Sequence, residues 1–124
     1  MNYWWSVAIG GALGAVARYF ISTIFPFVPG KVPIATLSVN IVGSFLMAVG
    51  FVVFAERAMA SEVLRYGLMT GFFGALTTFS TFSIEVLQMI QSGNLKLAFA
   101  YGLGSVLLCI VAASVGYALT YKFV

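Results

Sequence analysis

GALTTFSTFSIEV, residues 74–86, sets five hydroxyls, two phenylalanines three apart and a glutamate inside a chain that otherwise reads as lipid-soluble. A hydroxyl in a membrane helix can bond the carbonyl four residues back, which accounts for one or two such side chains. Thr77, Thr78, Ser80, Thr81 and Ser83 exceed that need. Helix propensity is low through Thr77–Thr81, and Gly71 and Gly74 loosen the turns before it. The run therefore predicts a helix broken near its middle. Broken backbone at membrane depth is tolerated where it lines a cavity or is otherwise satisfied, and freed carbonyls suit a hard cation.

The surrounding composition sets the solvent. Of 124 residues, 62% are hydrophobic and 7% charged, with no histidine, so a soluble surface cannot be assembled. A crossing helix needs about 20 apolar residues. Polar punctuation leaves four such segments, at about 3–25, 34–55, 61–90 and 95–121. The first ends at PFVPGKVP (26–33), which holds all three prolines; the second ends at ERAMASEVLR (56–65). Ser61 followed by Glu62 forms a start signal for the third, and QSGN (91–94) closes it. The expectation is an all-α membrane protein of one domain, residues 1–124, with no room for an extramembrane catalytic domain and hence no enzyme. No Lys or Arg precedes the first apolar run, which continues past the AVA before Arg18, so a cleaved signal is not expected. Cys109 lies within the fourth span and reads as a packing residue. A net charge of +3, scattered along the chain, provides no nucleic-acid surface.

Orientation follows the Lys/Arg bias between the two sides of the membrane. Arg57, Arg65 and Lys122 fall on one side; Lys31, Lys96 and a snorkelling Arg18 fall on the other. This balance allows either a noisy rule or insertion in both orientations with assembly of an antiparallel dimer. Four helices have little room to enclose a polar path, which favours a path formed between subunits. Gly10/Gly14 and Gly67/Gly71 fit the small-residue spacing that permits close helix approach.

Polar groups inside the spans need a reason. Arg18 and Glu85 either snorkel to an interface or serve a site. Asn40 shares one face of the second span with Thr36 and Gly43, and is either an interhelical bonding group or the lining of an ion path. In the opening stretch, Thr78, Thr81 and Glu85 form a stripe at i, i+3 and i+7. Phe79 and Phe82 stand on the neighbouring face, either as packing or as ring edges offered to an anion. A conduit requires binding favourable enough to enter yet weak enough to leave.

Across almost its whole length the chain resembles the Fluc (CrcB-type) fluoride channel family. GGALGAVARY (10–19), TLSVNIVGSF (36–45) and above all GALTTFSTFS (74–83) carry the resemblance. It implies a dual-topology homodimer of antiparallel subunits with two fluoride pores in the bacterial cytoplasmic (inner) membrane. It also implies that fluoride, sodium and membrane lipid are the partners. Phe79 and Phe82 match the family's phenylalanine box, and Asn40 its helix-two donor. Thr78, Thr81 and Glu85 match its polar track and a vestibule-side acid, with Thr36, Tyr101 and Ser105 as further pore residues. Arg18 matches a vestibule arginine. The carbonyls of Gly74 and Thr77, from both subunits, match a structural sodium site on the dimer axis. Passive fluoride export is the implied activity. A proton-coupled multidrug exporter requires an embedded acid, typically in helix one, where this chain carries Arg18. A non-transporting assembly protein makes no demand for the phenylalanines and hydroxyls together.

Overall fold

The computed structural model describes residues 2–57 and 59–124; Met1 and Ala58, which fall within the single domain expected over 1–124, lie outside the described residues. Helices α1 (Trp4–Ile24), α2 (Ile34–Glu56), α3 (62–76), α4 (Phe79–Gln91) and α5 (Leu95–Phe123) account for nearly all of it. They make four stretches long and apolar enough to cross a membrane, the third being Glu62–Gln91. Pro33 stands immediately before α2, where the missing N–H of proline costs no helical bond. The Ser61 hydroxyl accepts the Leu64 N–H and starts α3. Gly93, at φ 78°, makes the left-handed turn between α4 and α5 that a side chain would strain.

Two segments are wound more widely, as π-helix: Phe51–Glu56 at the end of α2 and Tyr66–Phe73 within α3. The second lies along α1 with the backbones nearly touching. A Cβ built on Gly10 would overlap the Gly67 carbonyl oxygen, and one on Gly14 the Phe72 carbonyl oxygen. In hydrocarbon no hydrophobic force drives helices together, so such close approach, with its dispersion contacts, has to hold them. On the other side of the bundle α2 packs along α5, where Gly116 faces the Phe45 carbonyl. A core of Met89, Ala98 and Tyr101, flanked by Leu37, Phe82, Val86 and Leu97, ties α4 to α5. At one end, the Tyr117 hydroxyl donates to the Glu56 carboxylate at 3.1 Å, joining the end of α2 to α5.

Large apolar side chains such as Val16, Phe20, Leu107 and Ile110 point outward along the spans. Water would penalise that surface; lipid does not.

The interior changes the charge balance. Arg18 does not reach for an interface: its Nε donates to the Ala75 carbonyl at 3.0 Å, so it is tied to the third span. The loops and ends then carry Arg57, Arg65 and Lys122 on one side against Lys31 and Lys96 on the other, a margin of a single charge.

The packing of α1 on α3 has a direct check. Gly10→Ala should destabilise the protein by about 1–3 kcal/mol, the range for overpacking a close contact. Gly11→Ala, whose Cβ meets only the Gly71 oxygen at 4.0 Å, should not destabilise the protein and should stabilise it by up to about 1 kcal/mol through helix propensity. Unfolding in detergent micelles compares them; equal effects would contradict this packing.

Candidate functional site

The site is built around two residues that leave the helical conformation. Thr77 (φ −78°, ψ 155°) and Thr78 (φ −151°, ψ 115°) are extended between α3 and α4. Their backbone groups must therefore find partners elsewhere. Asn40 on α2 supplies them twice over. The Thr78 N–H donates to Asn40 Oδ1 at 2.8 Å, and Asn40 Nδ2 donates to the Thr78 carbonyl at 3.1 Å. Only an amide side chain offers a donor and an acceptor side by side in this way. The Thr78 hydroxyl accepts the Thr81 N–H at 3.2 Å and donates to the Thr81 hydroxyl at 3.0 Å, capping α4. Thr77 gives both its N–H and its hydroxyl to the Phe73 carbonyl, at 3.2 and 3.1 Å. Ser83 bonds back to the Phe79 carbonyl, the bland role that a hydroxyl can always take.

These bonds redistribute the carbonyls. In a continuous helix the Thr78 N–H would go to Gly74 and the Thr81 N–H to Thr77. Here both go to side chains, so the Gly74 and Thr77 carbonyls lose their helical donors. Arg18 occupies the Ala75 carbonyl between them. Among the described residues no cluster of His, Cys, Asp or Glu could hold a metal.

Glu85 is neither at the surface nor on an open stripe. It is 5% exposed, and its two oxygens accept the Thr36 hydroxyl at 2.6 Å and the Tyr101 hydroxyl at 2.7 Å. Snorkelling to the interface is thus excluded for this carboxylate. Thr78, Thr81 and Glu85 also do not form the continuous stripe that their spacing implied, because Thr78 precedes α4 as its cap and Glu85 turns to α2 and α5. Thr36 and Tyr101 each spend their one hydroxyl hydrogen on Glu85, so only their lone pairs face anything else. Ser105, one turn from Tyr101, is different: its hydroxyl is buried and, among the described residues, makes no hydrogen bond of good geometry.

The rings lie beside this group. Phe79 and Phe82 have centroids 5.4 Å apart, and Phe82 and Tyr101 5.3 Å, all tilted rather than stacked. Phe79 is 75% exposed in mid-span. Asn40, Thr78, Phe79, Phe82, Ser105 and Cys109 are among the residues lining a cavity of about 950 Å³. Arg18, Thr36, Thr78 and Thr81 line a second one, of about 390 Å³. Thr78 is the residue on both walls. Cys109, expected only to pack, and Tyr117, which the sequence did not single out, also line the larger cavity. Tyr101, Ser105, Cys109, Ala113 and Tyr117 recur every four residues on α5, a signal that was available.

Removing the Tyr101 hydroxyl leaves one oxygen of a buried carboxylate without its donor. Tyr101→Phe should cost about 1–3 kcal/mol of stability, measured by thermal or denaturant unfolding in micelles. A loss well under that range would mean that Glu85 does not depend on this bond.

The family of CrcB-like proteins (Camphor Resistance, CrcB) matches residues 5–117. A protein named fluoride-specific ion channel FluC from Saccharophagus degradans is 51% identical over 121 residues, covering 98% of this chain and 91% of its own. A namesake from Magnetococcus marinus is 49% identical over 111 residues, covering 89% and 90%. Fluoride-specific ion channel FluC 1 of Bacillus cereus is 40% identical over 114 residues, covering 91% and 83%. The match runs through all four membrane-crossing stretches and the extended pair between α3 and α4, and the chain belongs to the CrcB family.

Proposed function

We propose that the chain is a fluoride-selective channel, not an enzyme, that exports fluoride passively across the bacterial cytoplasmic (inner) membrane. The relatives' printed function and their near-complete coverage of the chain support this reading. The observation that carries it structurally is the Ser105 hydroxyl, buried without a hydrogen bond of good geometry among the described residues and sharing a cavity with Phe79 and Phe82. An orphaned buried donor is costly, and it becomes useful when an acceptor passes. Fluoride is a small, strongly accepting anion, and ring edges carry the partial positive charge that can hold it without trapping it.

In this reading Phe79, Phe82 and Ser105 contact the ion, while Asn40, Thr78 and Thr81 form the polar wall beside them. Glu85 keeps Thr36 and Tyr101 pointed inward. Its two oxygens are already occupied, and it lines neither cavity, which does not suit an acid that must exchange protons with a substrate site. Arg18 stands in the smaller cavity as a positive vestibule for the approaching anion. Hydrogen fluoride crosses membranes as a neutral acid and dissociates in a less acidic cytoplasm, so an anion-selective leak lowers the internal concentration.

The assembly proposed is an antiparallel, dual-topology homodimer with two pores, in which each third span is broken at Thr77–Thr78. The nearly balanced loop charges and the exposed Phe79 support it. A sodium ion would sit on the axis between subunits, held by the carbonyls of Gly74 and Thr77. Neutral oxygen donors suit a hard cation, and these two carbonyls lack the donors that a continuous helix would give them. When bound, the ion would supply positive charge that pins the two subunits' chains together.

Liposomes loaded with fluoride and clamped by a potassium ionophore test the function. Fluoride should leave rapidly while chloride stays. Phe79→Ile or Phe82→Ile should slow the flux about tenfold or more, equivalent to roughly 1.4 kcal/mol on the barrier. Unchanged flux in both variants would remove the rings from the path, and the absence of any release would defeat the channel reading.

A further inference from the structure

We propose that Asn40 is a positioning residue for the cation site, acting through the backbone of Thr78. The proposal rests on the reading that sodium is held by the Gly74 and Thr77 carbonyls. Asn40 lies on the wall of the larger cavity, where an amide would naturally be assigned to the anion alone. Its bonds point to another task. Oδ1 takes the Thr78 N–H at 2.8 Å, the proton that a regular helix would deliver to the Gly74 carbonyl. Nδ2 meanwhile occupies the Thr78 carbonyl at 3.1 Å, which keeps Thr78 extended and in place.

The neighbouring carbonyls are sorted by the same kind of bond. Phe73 accepts twice from Thr77, and Ala75 accepts from Arg18. The Thr81 N–H is drawn from the Thr77 carbonyl to the Thr78 hydroxyl. Side chains thus occupy the carbonyls of Phe73, Ala75 and Thr78, and draw the helical donors away from those of Gly74 and Thr77. Within this set Asn40 is decisive for Gly74. Without its oxygen, the nearest acceptor along the chain for the Thr78 N–H is the Gly74 carbonyl, and rewinding of that turn would consume a cation ligand. Asn40 also lines the anion's cavity, so one side chain couples the geometry of both ions.

The test titrates sodium against a large organic cation and follows the thermal unfolding of the purified protein in detergent. The wild type should be stabilised by sodium with a defined midpoint. Asn40→Ala should raise that midpoint about tenfold or more, the scale of losing one well-placed polar partner. Phe82→Ile, which leaves the side-chain partners of the Phe73–Thr78 backbone in place, should keep the wild-type sodium midpoint while its fluoride flux falls, whatever its unfolding temperature without sodium. Asn40→Ser, whose single short hydroxyl cannot serve the Thr78 N–H and carbonyl together, should raise the midpoint as well; it carries the test if Asn40→Ala does not fold. An unchanged midpoint in Asn40→Ala, or in Asn40→Ser where Asn40→Ala does not fold, would overturn the proposal. A wild type indifferent to sodium would instead remove the cation reading and this proposal with it, leaving fluoride conduction to be judged by its own flux.

Discussion

The paired hydrogen bonds between Asn40 and Thr78 are the constraint on which the rest of the site depends. Two consecutive residues of extended backbone in the middle of a crossing segment leave peptide groups that hydrocarbon cannot satisfy, at a cost of several kcal/mol for each unmet group. One amide from α2 meets an N–H and a C=O of the same residue. Because the extended conformation is held, α4 can begin afresh at Phe79, capped by the Thr78 hydroxyl. The interruption is thus stabilised by specific partners and is not a defect tolerated by slack packing.

The two ionisable groups of the interior are handled in the same manner. Arg18 and Glu85 each sit where an isolated charge would be penalised by about 2.5–3.5 kcal/mol on insertion scales. Arg18 donates to a carbonyl of the interrupted segment, and Glu85 accepts from hydroxyls on α2 and α5. Each charge thereby joins helices that hydrophobic burial cannot hold together in lipid. The division of labour among hydroxyls follows from hydrogen counting: Thr36 and Tyr101 donate to Glu85, Thr78 donates to Thr81, and among the described residues Ser105 is the buried hydroxyl left without a hydrogen bond.

Much of the fold was legible in the sequence because lipid imposes a simple rule on length and polarity. The four apolar stretches, the proline-rich first loop and the Ser61 start need no tertiary information. The weak helix formers at Thr77–Thr81 likewise mark the place where extended backbone is found. What could not be read was direction. Periodicity placed Thr78, Thr81 and Glu85 on one stripe by assuming a helix that includes Thr78, yet Thr78 stands outside it and Glu85 reaches two other helices. For Arg18, chain position allowed snorkelling, and only the fold brings Ala75 within reach of its Nε. The π-helical winding of Tyr66–Phe73, which lies against α1 at Gly10 and Gly14, was not legible from composition or periodicity. The assignment to fluoride came from family resemblance, not from spacing.

On the reading proposed above, this small bundle conducts fluoride down its gradient with no coupled ion. Current across a planar bilayer under opposing gradients of fluoride, chloride and protons tests it most directly. The reversal potential should follow the fluoride gradient alone. A potential that moved with the proton gradient, or settled between those of fluoride and chloride, would contradict the account.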